Sequence, residues 1–537
     1  MLRNIALALS MANLCMINMW HDLLYRAPSS SSNDYFLKSF PYRIAVSAAV
    51  LDVVLLGAAL LPFMWLARRR KSVGAVVARL VILALLFFAV DRILLFGRSL
   101  VVGSSLTASD AGLIFTIALV ATLILYVLWD RKPAVGETLS NALLILSPFV
   151  LITFGHAAWH AVQGNGVFTD KPLAPLIQTT AASPRVLWFI FDEMDQRATF
   201  MDRAPDLNLP EIDRFRRESL YASNAYPPAS WTIRSLPALF TGKRISRAEP
   251  LNANDLALTY CGTGETVAWS HEPNVFSKAR GMGWNTALIG GYHPYCRVIN
   301  RDVSSCFWQP WDPFDTGPEQ TLGRAMVENF RVNLAVFGPS RPQWSKRADE
   351  IRAEVLRGLL HDVKYHVGVY RSILKEARSV MDDPSLGLIV VHWPVPHPPS
   401  IYNRSAQQLR ESRVNVTDTS YGDNLILVDQ TLGDVRRDLE ASGAWESTTL
   451  IVSSDHWLRK ALWRYDGETD HRIPFMLKLA GQKKGITYEK PFNTVLTGDF
   501  VLAILRGEIT SIDKVVTWLD KNRSMAEGAC GYQDDVE

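Results

Sequence analysis

The sequence lacks an excess of either charge, because 56 Lys and Arg residues nearly balance 53 Asp and Glu residues over 537 positions. A formal net charge of +3 gives no reason to expect a nucleic-acid partner, which a strongly basic surface would attract. The chain also lacks internal repeats, and it is too long for one ordinary domain. We therefore expect the chain to contain more than one domain, and these domains to differ in class.

Apolar residues are concentrated at the start of the chain. Five segments each approach the roughly 20 residues that cross a bilayer, and they lie at 4–24, 44–67, 74–96, 109–129 and 139–161. We expect residues 1–165 to form an all-α transmembrane bundle of about five helices. A cleaved signal peptide is the alternative for the first segment, although no convincing small-x-small cleavage site follows it.

Basic residues indicate how this bundle is oriented. Three arginines and a lysine occupy 68–71, between the second and third segments, and a second charged run at 130–132 precedes the fifth. The positive-inside rule places both loops in the cytoplasm and the chain after about residue 165 outside. The basic residues of the 25–43 loop fit this topology less well. We expect an integral protein of a bacterial inner or plasma membrane, with its main domain periplasmic or extracellular.

Polar residues follow several apolar runs of the second part of the chain. After a linker at 166–184, the run 185–191 leads into Asp192-Glu193, 388–391 leads into His392 and 448–454 leads into Asp455-His456. Such runs are typical of buried strands in an α/β sheet, whose chemistry lies at the carboxyl ends of the strands. Carboxylate and imidazole groups together suit a divalent metal. Each pair taken alone could equally be a strand-end cap. We place this domain at 185–515 and a C-terminal tail at 516–537.

A hydroxyl-rich segment at 227–242 is predicted to begin a helix. Ser230 or Thr232 could cap it, with Leu236, Leu239 and Phe240 directed inward. The N-terminus of a helix suits an attacking oxygen and a bound anion, although a plain cap would give the same pattern.

The order of these segments resembles the sulfatase-like branch of the alkaline phosphatase superfamily. The run from Tyr421-Gly422-Asp423-Asn424 through 429–433 and 439–443 to Asp455-His456 is similar to that branch. The preceding apolar segments resemble, in number and order, those of lipoteichoic acid synthases and lipid A phosphoethanolamine transferases. The resemblance covers about 185–510 and implies an α/β domain with a mostly parallel central sheet.

The resemblance also implies site residues. It makes Thr232 the nucleophile and has His397 and His471 contact the transferred group or protonate a leaving oxygen. The implied metal ligands are Asp192, Glu193, Thr232, Asp455 and His456. The expected substrate-binding residues are His392, Arg234 and Trp457, the last of which stands where the family usually has glycine. One divalent ion is expected, with zinc or manganese preferred and calcium or magnesium as alternatives.

The implied reaction moves a phosphoethanolamine- or phosphoglycerol-type head group from a membrane phospholipid to an envelope glycan or lipid, through a Thr232-linked intermediate. The alternatives are a hydrolase on the same scaffold, acting on phosphodiesters or sulfuric esters, and a non-catalytic membrane binding module. Formylglycine sulfatases need Cys or Ser followed by Pro at the second and Arg at the fourth position. No cysteine fits this pattern, and Ser235 and Ser340 lack the arginine.

Cysteine use agrees with an outer compartment. Cys15 lies in the first apolar segment, and the other four are Cys261, Cys296, Cys306 and Cys530. An even number in an oxidising space allows three disulfide pairings. We favour Cys296–Cys306, with free buried thiols as the alternative.

Overall fold

The computed structural model describes residues 2–17, 19–20, 35–40, 42–69, 72–101, 108–163, 166–167, 170–177, 184–310, 321–323, 325–327, 329, 363–411, 418–459 and 470–523. The chain divides into two compact units. The helical unit comprises Met1–Ser31, Ser39–Val167 and Thr316–Arg357. The α/β unit comprises Ser32–Lys38, Phe168–Asp315 and Gly358–Glu537, so a short N-terminal segment belongs to it.

The N-terminal region is helical, as predicted. Its helices are α1 (Leu2–Cys15), α2 (Tyr42–Leu66), α3 (Val73–Val101), α4 (Ala108–Arg131), α5 (Pro133–Ile145) and α6 (Pro148–Gln163). A short antiparallel ladder joins β1 (Ser39–Phe40) to β2 (Gly166–Val167). Three stretches are long and apolar enough to cross a membrane, namely Arg43–Leu66, Val73–Val90 and Pro133–Trp159.

These stretches account for three of the five predicted spans. The first predicted segment begins with the 14-residue helix α1, and residues 18 and 21–24 of this segment lie outside the described residues. The fourth corresponds to α4, and the fifth is divided between α5 and α6. This division occurs where Pro148 starts a new helix, because proline cannot donate the backbone hydrogen bond that would continue the old one. The described residues therefore support a membrane protein with three candidate spans.

The α/β unit contains two small antiparallel sheets and one large sheet. Its strands are β3 (Arg185–Phe191), β4 (Leu220–Tyr226), β5 (Ile245–Asn252), β6 (Asp255–Tyr260), β7 (Thr266–Ala268), β8 (Asn285–Gly291), β9 (Ser305–Gln309), β10 (Leu386–Trp393), β11 (Tyr402–Asn403), β12 (Gln408–Leu409), β13 (Thr448–Ser454), β14 (Ile473–Lys478), β15 (Ile486–Tyr488) and β16 (Phe492–Asn493). The large sheet has the order β15-β4-β14-β13-β3-β10-β8-β9, with β16 also paired to β4. Its pairs are parallel except those of β14, which confirms the predicted mostly parallel sheet.

Helices cover both faces of this sheet. They are α7 (Pro210–Glu218), α8 (Thr232–Thr241), α9 (Val275–Gly281), α10 (Tyr295–Val298), α11 (Val363–Met381), α12 (Asp418–Ala441), α13 (Thr497–Leu505) and α14 (Ile512–Asn522). Alternate residues of β3 enter different cores: Trp188 and Ile190 pack with α8, α9 and α13, whereas Phe189 and Phe191 pack with α7, α11 and α12. Burial on both faces explains why this strand is a continuous apolar run.

The ends of the α/β unit differ from their predicted bounds. The predicted tail begins at 516, but α14 continues to Asn522 and buries Val515 and Leu519 in the core. The unit therefore extends further, and residues 524–537, including Cys530, lie outside the described residues. In the predicted linker, Lys171 N–H donates to the carbonyl of Cys296. The predicted Cys296–Cys306 disulfide is confirmed, and Cys15 is a buried free thiol.

Strand β13 should contribute strongly to stability. Ile451 is fully buried there, so Ile451→Ala should lower the free energy of unfolding by about 2–5 kcal/mol through lost burial and a cavity. Ile486→Ala is the control, because Ile486 lies on β15 with 38% of its surface exposed. Chemical unfolding of the purified full chain, followed by tryptophan fluorescence, measures both. Equal losses would contradict this assignment of the core.

Candidate functional site

Three parallel strands place two aspartates and a histidine at one edge of the sheet. Phe191 pairs with Trp393 on one side and with Ser454 on the other, so β10, β3 and β13 end at the same level. Asp192 and Asp455 are the next residues after β3 and β13, and His392 is the penultimate residue of β10. Parallel strands thus bring together residues that are about 60 to 260 positions apart in the chain.

The remaining predicted residues reach this edge by two other routes. Strand β14 runs in the opposite direction, with Phe475 opposite Ser453, so the chain just before it, including His471, lies at the same edge. Strand β4 ends at Tyr226, and the loop that follows leads to Thr232, the first residue of α8.

Asp192, His392 and Asp455 form a candidate metal centre. Each offers one ligand atom, and these atoms all lie within 4.8 Å of one another. Their side chains are at most 3% exposed. Among the described residues, Asp192 Oδ1 and His392 Nε2 are buried atoms with no hydrogen-bond partner. Buried polar atoms normally have partners, so this donor set fits a divalent cation.

The tautomer of His392 agrees with this interpretation. Its Nδ1 lies 3.2 Å from the carbonyl oxygen of Gly291, which can only accept, and 3.2 Å from the Tyr295 hydroxyl, which can donate or accept, so a hydrogen on Nδ1 is compatible with both contacts. The lone pair is then on Nε2, which lies 3.9 Å from Asp192 Oδ2. A metal-binding histidine is commonly oriented by such a bond from its other nitrogen. The sequence predicts His392 only as a substrate-binding residue, and the structure places it among the candidate ligands.

Burial shifts the titration of these groups. Burial and the neighbouring Asp455 carboxylate raise the pKa of Asp192. Burial acts to raise the pKa of Asp455 as well, but His456 and His392 outweigh it and lower that pKa. Burial lowers the pKa of His392, so its imidazole is neutral and can act as a ligand.

Thr232 lies beside this centre. Its Oγ1 is 2.7 Å from Asp455 Oδ2 and 3.1 Å from His456 Nε2. His456 Nδ1 lies 2.9 Å from the carbonyl oxygen of Trp457, so Nδ1 carries the hydrogen and the lone pair of Nε2 faces Thr232. Thus Thr232, Asp455, His456 and Asp192 converge, as the sequence predicts.

The predicted helix cap is wrong. The N-cap residue of α8 is Trp231, and it makes no side-chain capping bond. Ser230 Oγ instead accepts a bond of 3.0 Å from Arg234 Nη2. Thr232 therefore stands inside the first turn with its hydroxyl turned toward Asp455, which distinguishes it from an ordinary cap. The inward positions Leu236, Leu239 and Phe240 are buried as predicted.

Glu193 occupies a different environment from Asp192. Its φ of 61° is in the left-handed region, and its N–H donates to Asp455 Oδ1 over 3.2 Å. Its carboxylate pairs with Arg459 Nε at 3.0 Å and lies 3.8 Å from His397 Nε2. Burial acts to raise the pKa of Glu193, but His397 and Arg459 reverse this and lower it. The candidate metal group does not include Glu193 among the described residues, and its role as a ligand stays a prediction.

Two residues at this site are not among those that the sequence motifs predict. The Arg459 guanidinium stacks 3.6 Å from the centroid of Trp231, next to Thr232, and its side chain is 25% exposed. Its place three positions after His456 is the signal that could have identified it. His293 is fully buried, and its Nε2 lies 3.3 Å from the carbonyl oxygen of Thr232. Its place two residues after β8 is also a strand-end signal.

The other predicted substrate contacts are spread around the site. His397 is 20% exposed at its side chain, and burial lowers its pKa. Trp457 and His471 pack with ring centroids 4.3 Å apart. The Arg234 guanidinium donates to Ser230 Oγ and to the carbonyl of Ser246. Its role as a substrate-binding residue stays a prediction.

Comparison with known families agrees with this architecture. The model of the family described as Sulfatase matches residues 184–520, which is more than half of the chain. The chain belongs to the sulfatase family. A search of the curated proteins finds no match.

Solved structures similar to this sulfatase-family chain have low identity. A phosphonate monoester hydrolase of Agrobacterium radiobacter is 14% identical, with a TM-score of 0.36 and coverage of 60% of this chain and 73% of that one. The PsFucS1 sulfatase from Pseudoalteromonas sp. is 16% identical, with a TM-score of 0.40 and coverage of 62% and 68%. An alkaline phosphatase superfamily protein from Vibrio parahaemolyticus is 11% identical, with a TM-score of 0.36 and coverage of 62% and 68%.

The candidate centre should bind one divalent ion. We expect Asp192→Asn and His392→Gln to weaken Mn²⁺ or Zn²⁺ binding by about tenfold or more, because each removes a ligand atom. Isothermal titration of the metal-stripped full chain measures stoichiometry and affinity. Asp429→Asn is the control, because Asp429 is also buried but accepts the backbone N–H of Ile212. Unchanged affinity in the two site variants would contradict the assignment.

Proposed function

We propose that this sulfatase-family protein is a metal-dependent enzyme that transfers a phospho-head group from a membrane phospholipid to an envelope glycan or lipid. One observation carries the proposal: the Thr232 hydroxyl lies 2.7 Å from Asp455 Oδ2 and 3.1 Å from His456 Nε2 at the first turn of α8. An alcohol held in this way suits a covalent nucleophile. The sequence has no formylglycine motif that would supply a different one.

Each site residue has a separate chemical role in the proposed mechanism. Asp455 Oδ2 already accepts the Thr232 hydroxyl bond and is placed to take its proton as Oγ1 attacks phosphorus. The N–H groups at the start of α8 and the Arg459 guanidinium offset negative charge on the phosphoryl oxygens. His397, partly exposed beside Glu193, would give a proton to the departing diacylglycerol oxygen from its protonated form, which is a minor form at neutral pH because burial lowers its pKa. An acceptor alcohol then displaces the phospho-head group from Thr232: the acceptor's proton returns to His397, and Asp455 returns the first proton to Thr232 Oγ1, which completes a ping-pong cycle.

Asp192, His392 and Asp455 would hold a divalent metal, with His456 Nε2 placed 3.7 Å from Asp192 Oδ1 as a further ligand. Bound there, the ion would act as a Lewis acid and favour the deprotonated form of a neighbouring alcohol. Two imidazoles with carboxylate oxygens suit zinc or manganese before calcium or magnesium.

The apolar helices support a lipid donor. They would hold the catalytic unit at a membrane surface, where a phospholipid is the most abundant phosphodiester. The basic loops of the sequence favour the periplasmic or extracellular side for this unit. An envelope glycan or lipid is then the acceptor class within reach.

The covalent step gives a direct test. After incubation with Mn²⁺ and vesicles of phosphatidylethanolamine and phosphatidylglycerol, wild type should gain the mass of one phospho-head group and release diacylglycerol. Thr232→Ala should give no adduct, because the attacking oxygen is missing. Thr241→Ala is the control, since Thr241 is buried at the far end of the same helix. Intact-mass spectrometry with peptide mapping measures the adduct.

Other outcomes would redirect the assignment. Head-group release to water that is independent of any alcohol acceptor would favour a phosphodiesterase. Cleavage of p-nitrophenyl sulfate without reaction of phospholipid would favour a sulfuric ester hydrolase. An adduct that persists in Thr232→Ala would contradict the proposed nucleophile.

Arg459 should contribute to recognition of the anionic group. Within the described part of the chain it forms one ion pair, to Glu193, so its Nη atoms remain available for a substrate oxygen. Arg459→Ala should lower kcat/KM for bis-p-nitrophenyl phosphate by about 10- to 100-fold, the value of a charge-assisted hydrogen bond. Arg459→Lys should retain part of the activity. Arg436→Ala, which breaks a comparable ion pair to Glu211, should leave kcat/KM unchanged.

A further inference from the structure

The α/β unit includes a segment that precedes it by more than a hundred residues. Residues 35–38 lie between α1 and α2 in the chain, yet they belong to the same compact unit as the site. Tyr35 is fully buried there. Its carbonyl oxygen accepts a 2.6 Å bond from Arg297 Nη2, and Phe36 packs against Tyr292 with ring centroids 5.1 Å apart. The segment is therefore anchored to the loop that follows β8.

A directional chain of hydrogen bonds runs from this segment to Thr232. His293 Nε2 lies 3.3 Å from the carbonyl oxygen of Thr232, which can only accept, so Nε2 carries the hydrogen. His293 Nδ1 then carries a lone pair and accepts the Tyr35 hydroxyl, 2.9 Å away. The order is Tyr35 O–H to His293 Nδ1, and His293 Nε2–H to Thr232 C=O.

The surroundings restrict the imidazole to this arrangement. His293 is fully buried between its two hydrogen-bond partners. Trp269 packs edge-to-face on the imidazole, with ring centroids 5.0 Å apart and an angle of 75° between the ring planes, and limits its rotation. A neutral imidazole offers one donor and one acceptor, and both are used in this chain.

We propose that Tyr35 and His293 are positioning residues that hold the first turn of α8, and with it Thr232, in register with Asp455. Residues 35–38, which lie between α1 and α2 in the chain, are thus a structural part of the catalytic unit. The proposal also requires these residues and the rest of the catalytic unit to lie on the same side of the membrane. The effect on turnover depends on the proposed function, whereas the effect on the α8 turn does not.

Tyr35→Phe tests this chain of hydrogen bonds because it removes the Tyr35 hydroxyl and keeps the aromatic ring. Tyr370→Phe is the matched control, since the Tyr370 hydroxyl is a buried partner of Thr431 Oγ1 at 2.8 Å in the other core. We expect Tyr35→Phe to lower kcat for bis-p-nitrophenyl phosphate by about tenfold or more with little change in KM, since small misplacement of a nucleophile slows chemistry. Tyr370→Phe should leave kcat unchanged, although both variants lose a similar buried hydrogen bond.

Two substitutions of His293 separate positioning from packing. The amide nitrogen of His293→Gln can occupy the place of Nε2 and still donate to Thr232, so this variant should retain more kcat. His293→Asn reaches only the place of Nδ1, so it should lose kcat to the extent that Tyr35→Phe does. Equal losses in the two His293 variants would indicate packing alone and would overturn the proposal.

Hydrogen–deuterium exchange of the full-length protein gives a readout that needs no activity. Peptides covering 229–236 should exchange faster in Tyr35→Phe than in wild type or Tyr370→Phe. If wild type fails to cleave any phosphodiester, the proposed function fails and the exchange comparison still decides the positioning role. Equal exchange of this peptide in Tyr35→Phe and Tyr370→Phe would refute it.

Discussion

The burial of two carboxylates side by side is the constraint on which this site depends. Asp192 and Asp455 have almost no exposure, and removing an ion from water costs on the order of several kcal/mol. Neutral His392 cannot offset two negative charges. A divalent cation would do so, and it would also use the buried atoms of Asp192 and His392 that have no other described partner. A divalent metal at the candidate centre would therefore lower the electrostatic cost of this edge, which the raised pKa of Asp192 reflects.

Sheet topology creates this concentration of charge. Parallel pairing in register ends β10, β3 and β13 at one level, and the two strand ends that carry acids are direct neighbours. The reversed strand β14 adds the loop that contains His471, and β4 leads into α8 with Thr232. Because the strands are buried on both faces by large apolar side chains, the edge is rigid. The reacting groups are therefore held by the core of the unit.

Around this centre, the charged residues are sorted into two neighbouring groups. Asp455 interacts with Thr232 and His456, whereas Glu193, one residue after Asp192, turns in a left-handed conformation toward Arg459 and His397. In the proposed function the first group would activate an alcohol, and the second would present an arginine and a histidine to a substrate. The buried Tyr35 and His293 add support from behind the first turn of α8, through a segment of the N-terminal region.

Local patterns in the sequence determined much of this protein: apolar runs predicted the helical N-terminal part and the buried strands, and strand-end residues predicted that Asp192, Asp455 and His456 lie at one edge of the sheet. The family resemblance added Thr232 to this group. The Cys296–Cys306 pairing is also correct. The division of the fifth predicted span between α5 and α6, the Trp231 cap and the placement of His392 in the candidate metal group came only from the tertiary structure. So did the pairing of Glu193 with Arg459 and the insertion of Tyr35 behind Thr232. The physical reason is that periodicity and strand ends are properties of a short stretch of chain. A side chain's partner is chosen by segments hundreds of residues away, whose positions exist only once the sheet has formed.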